Sequence, residues 1–142
     1  MSARRGLYLV VLLAPVAIAG CSDGLGKVAG TVTIDNQPVA GGPELYGTVT
    51  FTPASGGAPG VGIIDGSGHY SVSTGAQKGV APGTYLVSIA VRQVKPPTNQ
   101  DALPQATLIS PKKYLNSATS GLREEIKAGS NTCDFALTSD KK

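Results

Sequence analysis

Val61-Gly62-Ile63-Ile64-Asp65-Gly66-Ser67-Gly68-His69-Tyr70-Ser71-Val72 contains a complete supersecondary unit. An apolar run, a polar cluster with two glycines and a second alternating run together predict a β-hairpin. Outward from it the rhythm repeats. Upstream, Thr48-Val49-Thr50-Phe51-Thr52 alternates with Val49 and Phe51 inward, and Pro53 ends the strand. Residues 28–34 alternate from Val28 to Ile34; Asp35-Asn36-Gln37-Pro38 is expected to turn the chain, with Val39 starting a short return before Gly41-Gly42. Downstream, Ala81-Pro82-Gly83 feeds a strand from Thr84 to Arg92, with Tyr85, Val87, Ile89 and Val91 on one face. A last pair, Leu122 to Lys127 and Thr132 to Leu137, is expected to be joined by Ala128-Gly129-Ser130-Asn131. No window holds a helical period. About seven short strands over residues 28–138, followed by a tail at 139–142, predict an all-β fold, a single antiparallel β-sandwich of the prealbumin or immunoglobulin-like kind.

Composition agrees. Charged residues make up 15% of the 142-residue chain, and it has 19 Gly, 10 Pro and no Trp. Of the 122 residues after position 20, 28 are Val, Ile or Thr, side chains that suit a pleated surface. The formal charge of +3 includes Arg4 and Arg5 of the leader; without them 10 basic side chains face 9 acidic ones. No basic patch interleaved with aromatics remains, so no nucleic acid is expected as a partner.

Residues 1–20 read as a signal peptide. Arg4 and Arg5 form its basic start and Leu7 to Ile18 its apolar stretch, predicted to be a signal helix. That stretch is shorter than the roughly 20 residues a membrane-spanning helix needs, and Pro15 interrupts it. Ile18-Ala19-Gly20-Cys21 resembles a bacterial lipobox. The resemblance implies a diacylglycerol on the Cys21 thiol, cleavage before Cys21 and a lipid anchor in the cell envelope. Residues 21–27 then form a short tether. With Cys21 acylated, Cys133 has no partner in the chain; it alternates with Phe135 and Leu137 and reads as a small buried hydrophobe.

Residues 93–121 break the rhythm, with Pro96, Pro97, Pro104 and Pro111 in one connection. Such a length is uncommon in a compact domain, and a meandering surface loop with one short strand near Thr107 to Ile109 is expected.

Several of these segments carry a family resemblance. Gly30-Thr31-Val32-Thr33, Pro38-Val39-Ala40-Gly41-Gly42, Asp65-Gly66-Ser67-Gly68-His69-Tyr70 and Ala81-Pro82-Gly83-Thr84-Tyr85 resemble transthyretin-like, carboxypeptidase-regulatory-like domains. The whole layout is similar to that of small planctomycete lipoproteins. Each motif is a turn or core device, so the resemblance implies a fold and says little about activity. Pro43-Glu44-Leu45-Tyr46 looks inserted relative to that pattern, and Cys133 stands where an aromatic is usual.

Candidate chemistry is sparse. Asp65, Ser67 and His69 alternate across the hairpin turn, but a calcium site wants six to eight oxygens and this segment has one carboxylate. Turn chemistry accounts for Asp65, with Gly66 and Gly68 expected at positive φ. His69 is the single histidine, no Gly-x-Ser-x-Gly elbow is present, and Gly60-Val61-Gly62-Ile63-Ile64-Asp65 lacks the third glycine and the helix of a dinucleotide fingerprint. Glu124 and Glu125 are neighbours on a strand and point apart. Tyr46 and Tyr114 are the tyrosines expected outside. No catalytic residue, metal or cofactor is therefore expected. The predicted function is a membrane-anchored, non-catalytic envelope lipoprotein that binds an envelope protein or polysaccharide or acts as a spacer. The alternative is an envelope hydrolase or metal-dependent enzyme built on the Asp65–His69 turn.

Overall fold

The computed structural model describes residues 24–39 and 43–140. The expected leader and signal helix, Cys21, and Gly41-Gly42 lie outside them. The strands are β1 (Gly26–Ile34), β2 (Gln37–Pro38), β3 (Leu45–Pro53), β4 (Gly60–Ile64), β5 (His69–Thr74) and β6 (Gln77–Lys78). They continue with β7 (Gly83–Lys95), β8 (Gln105–Leu108), β9 (Leu122–Ile126), β10 (Gly129–Thr132) and β11 (Phe135–Leu137). A 3-10 turn at Lys112–Leu115 is the one helical element among the described residues.

All eleven strands belong to one sheet with the main order β10-β1-β5-β4-β3-β7-β8; β2 and β11 also pair with β1, β6 with β5 and β9 with β7. The sheet curls into an open half-barrel. Its bend runs through β5, where Tyr70 and Ser71 pair with Gly30 and Ala29 of β1, while Val72 and Ser73 pair with Gly62 and Val61 of β4. Pairing is antiparallel except at β1, which runs parallel to β10 and β11. The strand count thus exceeds seven, because β2 and β6 are two-residue returns and the stretch 129–137 divides at Cys133-Asp134.

The concave face is the core. Val49 and Phe51 of β3 and Tyr85, Val87, Ile89 and Val91 of β7 are buried, as the alternation requires. Phe51 is the hub: its ring centroid lies 6.4 Å from Tyr70, 6.1 Å from Tyr85 and 6.1 Å from Phe135. Removing a side chain of that size from water contributes about 1.5–3 kcal/mol. The glycines of β4 make room for this packing. A Cβ at Gly60 would come within 2.3 Å of Val80 Cγ1, and one at Gly62 within 2.9 Å of Tyr70 Cδ2.

Three local expectations need correction. The first turn is only Asp35-Asn36, at φ 49° and 65°, and the return follows at once, with Ile34 opposite Gln37 and Thr33 opposite Pro38. Both residues adopt the left-handed conformation of a tight two-residue hairpin, which Asp and Asn tolerate. Secondly, β9 and β10 do not form a hairpin. β9 pairs with β7, and Lys127-Ala128 carries the chain across the open side to β10, which joins β1. Finally, Leu45 and Tyr46 are not loop residues: they begin β3, opposite Gln93 and Arg92.

The connection after residue 92 is also more built than a surface meander. β7 continues to Lys95, and β8 folds back on it, pairing Arg92 with Leu108 and Lys95 with Gln105. Beyond β8, three small anchors fasten the chain to β7 and the core. The Ser110 hydroxyl accepts from Val91 N–H at 3.1 Å, the Ser120 hydroxyl donates to the Val87 carbonyl at 2.5 Å, and Tyr114 is buried. At the other terminus of the fold, Ser139 N–H donates to the Asp35 carboxylate at 3.0 Å.

Candidate functional site

The residue that carries the strongest functional signal, Cys21, lies outside the described residues, which begin three positions later at Gly24. Among the described residues no helix is long and apolar enough to cross a membrane.

The Asp65–His69 turn closes the β4–β5 hairpin. Asp65 Oδ1 accepts three hydrogen bonds, from Ser67 N–H at 2.8 Å, Ser67 Oγ at 2.7 Å and His69 N–H at 3.1 Å. The Ser67 hydroxyl and then its N–H hold this carboxyl below the usual carboxylate range. Gly68 takes φ 85°, whereas Gly66 does not need a positive φ, contrary to expectation. The carboxylate is therefore occupied in shaping the turn. His69 projects to the exposed convex face, opposite Thr31 of β1. On that face Asp134 Oδ1 accepts from Thr31 N–H at 2.8 Å and Thr31 Oγ1 at 2.9 Å, which lowers its pKa as well. Both carboxylates feel the charge of His69, yet each already has backbone and hydroxyl donors. No group of three or more His, Cys, Asp or Glu that could hold a metal ion occurs among the described residues.

Cys133 is buried, as its alternation implies. Burial pushes its thiol up to about 11, and the Glu124 and Asp134 carboxylates add to the shift. A thiol in that state is neutral at physiological pH and a poor nucleophile. Its carbonyl accepts a hydrogen bond from the Tyr70 hydroxyl, which burial likewise holds in the protonated form. Glu124 and Glu125 diverge: Glu124 is half-buried on the Cys133 side, and Glu125 is exposed. Tyr46 is exposed, but Tyr114 is not; its ring packs into the core and its hydroxyl accepts from Thr138 N–H at 3.3 Å. A single tyrosine in an irregular segment has no periodicity from which burial could be read.

Sequence reasoning missed the two clefts beside Leu25. One, of about 260 Å³, is lined by Leu25, Pro53, Thr74, Pro82 and Tyr85 among others. The other, about 530 Å³, is a shallow depression between Leu25, Lys27, Ala76, Gln77 and Lys78. Their walls come from β1, the β3–β4 loop and the chain between β5 and β7, so no contiguous motif announces them.

No family model matches this chain, and no curated protein is significantly similar to it in sequence. Among solved structures, the crystal structure of a 9R-lipoxygenase from Cyanothece PCC8801 aligns with 86% of the chain at 16% identity and a TM-score of 0.34. The chain spans 17% of that protein's length. A likeness at this level bears on neither the fold nor the chemistry.

Proposed function

We propose that this chain is a lipid-anchored, non-catalytic protein of the bacterial cell envelope, held outside the cytoplasm through Cys21 and serving as a binding or spacer module. The observation that carries the reading is the order Ile18-Ala19-Gly20-Cys21 after a basic and apolar leader, with a folded strand starting at Gly26. Two or three acyl chains on Cys21 anchor firmly where one is marginal. The non-catalytic part rests on what the reactive groups already do. Asp65 and Asp134 are occupied in turn and strand hydrogen bonds, and the Cys133 thiol is raised and buried. Acid–base and nucleophilic catalysis need such groups poised near neutral pH and within reach of a substrate. The two-layer, transthyretin-like sandwich belongs to the same proposal, with the bend through β5 dividing the layers. The open margin along β8 is the strand edge offered to a protein or polysaccharide partner.

Mass spectrometry of the mature amino terminus, with detergent phase partitioning, tests the anchor. The expected result is a diacylated Cys21 and recovery in the detergent phase, with Cys21→Ala unprocessed or soluble. An unmodified amino terminus at any other residue would sink the proposal.

A further inference from the structure

The fold sorts the described lysines by end. β1 begins, β7 begins, β9 ends and β10 begins at the end that carries Leu25; Gly26 there bridges to Val80, and Gly129 N–H donates to the Leu25 carbonyl at 3.1 Å. Lys27 and Lys78 line one depression with Leu25. Lys127 belongs to the same end, since a Cβ built on Gly26 would lie 2.7 Å from its carbonyl oxygen. All three are exposed. The segments that form this end, 24–27, 54–59, 74–83 and 127–131, contain no Asp or Glu. The carboxylates closest along the chain are Asp23, next to Gly24, and Glu125, which pairs with Thr84 one register position inside the sheet. The opposite end is mixed: Asp35, Glu44 and Asp65 lie in its turns, alongside Lys95 and the Lys112-Lys113 pair.

We infer that the Leu25 end is a membrane-docking face, on which Lys27, Lys78 and Lys127 meet the anionic headgroups of the bilayer that holds Cys21. The inference rests on the lipoprotein reading. Leu25 lies four positions after Cys21, so even a fully extended tether keeps its Cα within about 14 Å of that of the anchored residue. That limit is longer than the roughly 8–10 Å over which a surface potential decays, so the lysines feel the bilayer when the tether is bent and this end lies against it. An end bearing three cations, with Asp23 and Glu125 as its nearest carboxylates, keeps a net positive charge and is drawn down, while the mixed end, about 40 Å away along β7, has no comparable preference. The anchor supplies the affinity and the lysines supply the orientation. An untethered domain with three lysines would hold a bilayer poorly.

The mature lipidated protein, reconstituted in phosphatidylcholine vesicles with and without phosphatidylglycerol, tests this with a membrane-impermeant amine-labelling reagent. Labelling of each lysine is read by peptide mass spectrometry. Lys27, Lys78 and Lys127 should lose labelling several-fold when the anionic lipid is present and regain it at high salt, while Lys95, Lys112 and Lys113 stay constant. In Lys127→Gln, protection at Lys27 and Lys78 should weaken by at most about fivefold, the limit for one lysine at an anionic surface. Equal labelling at both ends with Cys21 acylated would overturn the docking face and leave the anchor standing. A Cys21 peptide without lipid, read in the same digest, would overturn both. Protection that persists without anionic lipid or at high salt would assign the face to a protein or apolar contact and overturn the electrostatic inference.

Discussion

The β3–β7 ladder and the connection that follows it hold the same core in different ways. The ladder pairs residue for residue from Leu45 opposite Gln93 to Pro53 opposite Tyr85, and every second position is buried from Gly47 to Phe51 and from Tyr85 to Val91. The connection contributes isolated points, Ser110, Tyr114 and Ser120, between stretches that face solvent. A ladder spreads stability over many cooperating contacts, whereas an irregular segment concentrates it in a few anchors. Burial in the first follows a period, and in the second it follows the shape of what lies beneath.

The sharpest way to break this comparison is Phe51→Ala. It empties the hub between Tyr70, Tyr85 and Phe135 and should cost about 3–5 kcal/mol in a denaturant melt. A loss below about 1 kcal/mol would mean that the concave face is misassigned. Tyr114→Ala probes the connection at its best anchor. Partial collapse of a less confined site should hold the loss to about 2–3 kcal/mol, still far above a surface change. If urea midpoints show no change, the connection is a loose loop after all.

Asp65→Asn sharpens the contrast within the regular part, because it removes a charge without removing an acceptor. The folded-state pKa of Asp65 is depressed, so its contribution is present above the unfolded carboxylate value of 3.8 and is lost as pH falls through the lower folded value. Wild type should therefore melt slightly higher than the variant at pH 6, and the gap should close in the acid limb. Asp134 shifts in the same direction and leaves a residual acid slope in the variant. A gap that widens with acid would contradict the turn assignment. The smallest effect belongs to Leu103→Ser, at an 85% exposed position between β7 and β8, where a change within about 0.5 kcal/mol is expected by calorimetry.

Much of the regular part was legible residue by residue. Val49, Phe51, Tyr85 and Ile89 follow a strict period of two, and the Asp65 cluster carries its own turn chemistry, so both read correctly without knowledge of partners, save for the positive φ expected at Gly66. Tyr114 read as exposed because nothing around it repeats. Gly60 and Gly62 looked like a failed phosphate loop because the reason for their size, Val80 and Tyr70 above them, lies elsewhere in the chain. Cys133 read as an inward residue from its alternation with Phe135 and Leu137; burial does most to raise its pKa, and the further contribution of Glu124 required another strand to bring that carboxylate alongside.

The amino-acid sequence by itself determined the all-β class, the faces of the main strands and the hairpin at Asp65. These are properties of neighbours, since side-chain alternation and turn preference act within a few bonds. Only the tertiary structure decided that β9 and β10 part to opposite margins, that β1 takes two parallel companions, and that Lys27, Lys78 and Lys127 share one end. Partner choice is decided by which apolar faces close over one another across the whole chain, and period and turn chemistry are blind to that.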